Sequence, residues 1–168
     1  MINIRVNNSE VIASLRQLSQ RTDDLSPALE DVAMDLTERI RQLFKPGESP
    51  YGDKWAPLSA VTQAKNKGRR SGGQPLLDTG RLRNSISGVD LGPRSVTIRA
   101  TNVQYAATHQ FGAKQGAFGG RSKRNGPIPW GNVPARPYMP IRGGAAILPQ
   151  PWAEAASDII QEYVRGEL

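Results

Sequence analysis

The most regular stretch of the chain runs from Ser26 to Phe44, where Leu29, Val32, Ala33, Leu36, Ile40, Leu43 and Phe44 recur at three- and four-residue intervals. That spacing puts all seven on one side of an α-helix. Ser26 and Pro27 predict its start, a capping side chain with proline at the first helical position, and Glu30 and Asp31 suit the positive end of the dipole. Pro46-Gly47 predicts its end. An earlier helix is read after the apolar-alternating start "INIRV" (2 to 6): Ser9 caps it, Val11, Ile12, Leu15 and Leu18 follow helical spacing, and "RTDDLSP" breaks it. A last helix is read from Trp152 to Val164, with Trp152, Ala156, Ile159, Ile160 and Tyr163 on one side.

Between these helices the period falls to two. Ser85 to Leu91 and Ser95 to Thr101 read as strands joined by a Gly92-Pro93 turn, because Val96 and Ile98 alternate with Thr97 and Arg99. A turn of helix from Gly80 to Asn84 leads into this hairpin. "VQYAATHQFG" (103 to 112) reads as helical with Gly112 as a left-handed cap, and "RPYMPI" (136 to 141) as a short edge strand. Residues 46 to 75, apart from a short helix near Ser59 to Lys65, and residues 112 to 137 are extended loops. The expected fold is α+β: one domain over residues 1 to 168, a small antiparallel sheet packed with two N-terminal helices and one C-terminal helix, with long Gly- and Pro-rich loops. The sequence contains no internal repeat.

Composition sharpens the reading of those loops. Hydrophobic residues make up 38% of the 168, while 17 glycines and 13 prolines favour loops over packed layers, so part of the chain is expected to order against a partner. There is no cysteine, which removes disulfides, thiolate nucleophiles and Cys-ligated zinc. The N-terminus lacks the pattern of a secretory leader and no run of about 18 apolar residues occurs, so an unsecreted protein without a membrane partner is expected.

The net charge of +7 is unevenly spread: residues 1 to 53 sum to −3, residues 54 to 153 to +13, and residues 154 to 168 to −3. Such an excess suits an acidic partner, which is either nucleic acid or the acidic surface of a protein, including another copy of this chain.

Catalytic chemistry finds little support. His109 is the single histidine, and no G-x-S-x-G elbow accompanies it, so packing or a hydrogen bond at a helix end is the expected role. The carboxylates occur as linker, capping or isolated residues and cofactor-binding motifs are lacking; neither an enzyme nor a cofactor is expected. Gly72-Gly73-Gln74 resembles the catalytic loop of peptide-release factors in three residues only. "GAFGGRSKRNG" (116 to 126) has neither the spacing nor the strand-to-helix setting of a phosphate-binding loop. The two basic clusters, Lys65, Lys67, Arg69 and Arg70, then Lys114, Arg121, Lys123 and Arg124, leave open non-specific contact with genomic DNA or with an acidic partner. No helix-turn-helix or RNP pattern accompanies them.

Four stretches, "GDKWAPLS" (52 to 59), "LLDTGRLRNSIS" (76 to 87), "YAATHQFG" (105 to 112) and "VPARPYMPI" (133 to 141), in that order after a helical N-terminal region, resemble the phage virion morphogenesis or tail completion proteins, which include the Mu-like G protein and the P2-like tail completion S protein. The resemblance spans roughly residues 10 to 165. It implies a non-enzymatic structural protein of the virion neck or tail end, assembled in the host cytoplasm, which completes the tail and joins it to the head as a ring of copies contacting other neck and tail proteins. The residues expected at interfaces are Trp55, Arg81, Tyr105, His109, Phe111, Arg136 and Tyr138, with Gly80 and Gly112 where the backbone turns or approaches closely. A DNA-binding accessory protein using the basic loops is the alternative.

Overall fold

The computed structural model describes residues 9–65 and 73–167. Ten elements follow in order: α1 (Ser9–Asp23), α2 (Ser26–Gln42), α3 (Ala60–Lys65), α4 (Arg81–Asn84), the hairpin β1 (Ile86–Gly92) and β2 (Ser95–Ala100), α5 (Ala106–Phe111), the small pair β3 (Ile141–Arg142) and β4 (Ala145–Ala146), and α6 (Gln150–Arg165). The "INIRV" start lies outside the described residues.

Helix α2 is the axis. Its stripe buries Leu29, Val32, Ala33, Leu36 and Ile40, and the chain continues past its end to bury Phe44 completely. Full burial of each large apolar side chain removes about 1.5–3 kcal/mol worth of apolar surface from water. One side of α2 meets the β1–β2 hairpin and another meets α6, which sends Trp152 into the same core. The start of α2 differs in detail from expectation. Leu25 holds the cap position and Ser26 is already helical; the Asp24 carboxylate accepts the Ser26 N–H at 2.9 Å, which does the capping from two residues upstream. The first turn contains no acidic residue, since Glu30 and Asp31 fall in the second.

The hairpin pairs Ile86 with Ala100 and Gly92 with Ser95, with a register shift between Gly88 and Asp90. Along β2, Val96, Ile98 and Ala100 turn toward α2 and are half-buried while Ser95, Thr97 and Arg99 are exposed. Arg41 fastens helix to sheet by donating from Nη2 to the Ile86 carbonyl at 2.6 Å. The linker between α1 and α2 is held by the Leu25 N–H to the Pro93 carbonyl at 3.0 Å and by the Tyr163 hydroxyl to the Asp24 carbonyl at 3.2 Å.

Two expectations change. "RPYMPI" forms no edge strand over residues 136 to 140; only Ile141 and Arg142 pair, with Ala145 and Ala146, because the N–H and side-chain groups of the preceding residues are taken by α5. Helix α1 packs chiefly on α6, and it leaves Ile12, Leu15 and Leu18 exposed.

Candidate functional site

The residues around Arg136 bring all four sequence stretches to one place. Arg136 lies on stiff chain between Pro134 and Pro137 and is buried to 6% exposure. Its Nε donates to the Ala56 carbonyl at 2.8 Å and its Nη2 to the Pro57 carbonyl at 2.9 Å, so the guanidinium fork spans two successive peptide groups of the first stretch. Its backbone N–H donates to the His109 carbonyl at 2.7 Å. Burial lowers its pKa from the usual guanidinium value.

Next to it, Trp55 donates from Nε1 to the Pro137 carbonyl at 2.7 Å and meets Phe44 edge-on, ring centroids 5.3 Å apart. Gln110 completes the junction. Its Oε1 accepts the N–H groups of Tyr138 and Met139, both at 3.0 Å, and its Nε2 donates to the Met139 carbonyl at 3.1 Å. A buried amide thereby replaces the ladder that an edge strand would have supplied. Tyr138 donates its hydroxyl to the Ala106 carbonyl at 3.2 Å, and burial pushes its pKa up to about 12.

A cleft of about 750 Å³ opens beside this junction, bordered by Leu58, Gln74, Asp78, Arg81, Tyr105, His109 and Arg136. Gly80, in the left-handed region at φ 70°, turns the chain into α4 and so places Arg81 on the rim, where its Nη2 donates to the Asn102 carbonyl at 3.1 Å. His109 sits edge-on to Tyr105 with centroids 5.4 Å apart, and its Nδ1 is buried without a hydrogen-bond partner among the described residues. Burial, then the Arg136 charge, lowers the His109 pKa below its ordinary value of 6.5. A donor at Nδ1 would lack a partner, and both burial and the Arg136 charge disfavour the imidazolium form.

Beyond α5 the chain leaves the body as an arm. Gly112 launches it with φ 75° and ψ 177°, an extended conformation of positive φ instead of the expected left-handed helical cap. A Cβ there would lie 2.8 Å from the Val133 carbonyl oxygen and 2.9 Å from the Ala135 nitrogen. The close approach lets Ala113 and Val133 exchange hydrogen bonds at 2.9 and 2.7 Å, and the seam continues through Phe118 N–H to Ile128 O and Ile128 N–H to Gly120 O, both 3.1 Å, to a turn at residues 122 to 126. The expected loop is therefore an irregular hairpin. None of residues 113 to 135 is buried, and Phe118 and Trp130 are 54% and 65% exposed.

The sequence-derived sites divide accordingly. Trp55, Arg136 and Tyr138, expected at interfaces, are at most 7% exposed and have their polar atoms engaged within the chain, so the folded chain does not present them to a partner. Arg81, Tyr105 and Phe111 are exposed and His109 is half-buried. Lys114, Arg121, Lys123 and Arg124 are exposed on the arm. Lys65 ends α3, while Lys67, Arg69 and Arg70, with Gly72, lie outside the described residues. Gln110 was not singled out from sequence; its signal is its place four residues after Ala106, on the face that turns to the core while the apolar Phe111 turns out. Among the described residues, no group of three or more His, Cys, Asp or Glu is placed to hold a metal ion. No helix among them is long and apolar enough to cross a membrane.

Comparison with known proteins points to the same family as the four stretches. The model of the phage virion morphogenesis family matches residues 6–162. The Mu-like prophage FluMu G protein 2 of Haemophilus influenzae is 32% identical over 164 residues, covering 97% of this chain and 96% of the relative. No solved structure matches the chain.

Proposed function

We propose that this chain, which belongs to the phage virion morphogenesis family, completes the tail and joins it to the head as a non-enzymatic ring of copies at the neck. The observation that carries this reading is the arm. A segment of more than twenty residues is ordered by its own backbone hydrogen bonds, buries none of its side chains, and holds two large aromatic rings and four cations in water. Exposed aromatic rings beside arginine are the composition of an interface core and not of a solvated loop. The hub of Trp55, Gln110, Arg136 and Tyr138 serves this role indirectly by fixing the root from which the arm leaves.

Exposed cations meeting acidic surfaces are screened by salt, so assembly is expected to weaken as ionic strength rises. Sedimentation of the purified protein across a salt series tests the oligomer, and negative-stain imaging with tails from a phage lacking the protein tests the location. A chain that stays monomeric at low salt and leaves such tails undecorated defeats the proposal. Contact with genomic DNA is the second reading, favoured by Lys123 and Arg124 at the arm's turn. It predicts binding to duplex DNA with a steep salt slope in a gel-shift assay, and no binding near physiological salt removes it.

A further inference from the structure

The arm and the outermost helices of the same chain are complementary in two independent ways. On α6 the face opposite Trp152, Ile159 and Ile160 exposes Glu154, Asp158 and Glu162, spaced four residues apart. Four-residue spacing stacks three carboxylates in one line about 12 Å long. None of the three is in an ion pair among the described residues, unlike Asp35 with Arg39 and Glu48 with Lys54. Beside α6, α1 leaves Ile12, Leu15 and Leu18 at 39%, 59% and 44% exposure. The arm offers the opposite set: Arg121, Lys123 and Arg124 within four residues at its tip, and the rings of Phe118 and Trp130 along its sides. Arg121 is steadied by donating from Nη1 to the carbonyl and side-chain oxygens of Asn125, both at 3.2 Å.

We infer that the arm of one copy docks on the α1–α6 helix pair of a second copy, cations on the Glu154, Asp158 and Glu162 line and aromatic rings on the α1 aliphatic residues. This rests on the ring proposed above and names its contact. Two different patches on one chain that fit each other make a head-to-tail contact, and such contacts close into rings when the rotation allows. A DNA duplex is the poorer occupant of the arm. It supplies phosphates for three cations but only scattered apolar surface for two rings, whereas the helix pair supplies carboxylates and an aliphatic face together.

Charge exchange between full-length chains tests the contact. The arm variant is Lys123→Glu with Arg124→Glu; the helix variant is Glu154→Lys, Asp158→Lys and Glu162→Lys. All five positions are exposed, so both variants are expected to melt close to the parent. Each alone is expected to self-associate at least about 100-fold more weakly than the parent at low salt, because like charges now oppose. A one-to-one mixture is expected to assemble again, since the acidic arm of the first meets the basic helix of the second. If the parent assembles and both variants do so equally well, the docking site lies elsewhere and this inference alone falls. A parent that remains monomeric overturns the ring itself. An arm variant that assembles normally but loses binding to duplex DNA assigns the tip to nucleic acid and overturns the inference.

Discussion

Tyr138 and Trp130 are eight residues apart in sequence and differ about thirtyfold in exposure, 2% against 65%. The first belongs to a hub whose side chains bond inside the chain through Trp55 Nε1, the Gln110 amide, Arg136 Nε and Nη2 and the Tyr138 hydroxyl; the second belongs to an arm held by its own backbone hydrogen bonds, in which none of residues 113 to 135 is buried. Three of the four stretches that carry the family resemblance supply the hub and the other borders the cleft beside it, while most of the arm, residues 113 to 132, lies between the third and fourth. Recognisable motifs here thus mark mainly how the chain is built, although Arg81, Tyr105 and Phe111 within them also face outward, and the most extended exposed segment is one the motifs leave out.

Substitutions separate the two regions, ordered by their effect on stability. Phe44→Ala removes a fully buried ring that touches both Trp55 and Tyr138, and is expected to lower stability by about 3–5 kcal/mol in a denaturant titration, taking assembly down with it. Arg136→Lys keeps the charge but not the fork that reaches Ala56 and Pro57; a loss of about 2–3 kcal/mol is expected, and a lysine variant as stable as the parent would show that charge alone matters there. Gly112→Ala forces a Cβ against two backbone groups at positive φ, at roughly 1–3 kcal/mol. Its distinguishing mark is faster hydrogen exchange of the Ala113 and Val133 amides than of α2.

A smaller effect follows from His109. Its folded pKa lies below the unfolded value, so the associated stability is complete above about pH 6.5 and is lost as the pH falls below it. The melting temperature should decline over that range in the parent and less in His109→Gln; identical profiles would remove the histidine from the account. Smallest of all, Trp130→Ala is expected to stay within about 0.5 kcal/mol of the parent in stability while weakening self-association. A large fall in melting temperature for that variant would mean the arm packs on its own body, and the contrast between hub and arm would collapse.

Long periodic elements were legible because periodicity survives any tertiary context. The α2 stripe from Leu29 to Phe44 and the alternation of Val96 and Ile98 needed no knowledge of what lay opposite. The hub was not legible in the same way. Trp55, Arg136 and Tyr138 sit among prolines, a setting shared by rigid interface residues and by buried ones, and only the long-range hydrogen bonds to Pro137, Ala56, Pro57 and Ala106 distinguish them. Helix α5 is six residues long, too short for a pattern to declare its inner face, so the sequence pointed to Phe111 as an anchor and gave no sign that Gln110 turns inward. The arm's hairpin escaped notice because its order comes from backbone pairing between residues 113–122 and 126–133, among glycines and prolines that read as loop.

The seam along the arm has a kinetic consequence. A segment that ordered itself only on contact would lose its conformational freedom at the moment of docking, and the encounter would stall while it folded. Here the strands are already zipped to the turn at residues 122 to 126, with side chains alone left to settle. In the ring proposed above, addition of each new copy should therefore proceed at the rate set by diffusion and electrostatic steering, with exchange between copies governed by how slowly the rings of Phe118 and Trp130 come away.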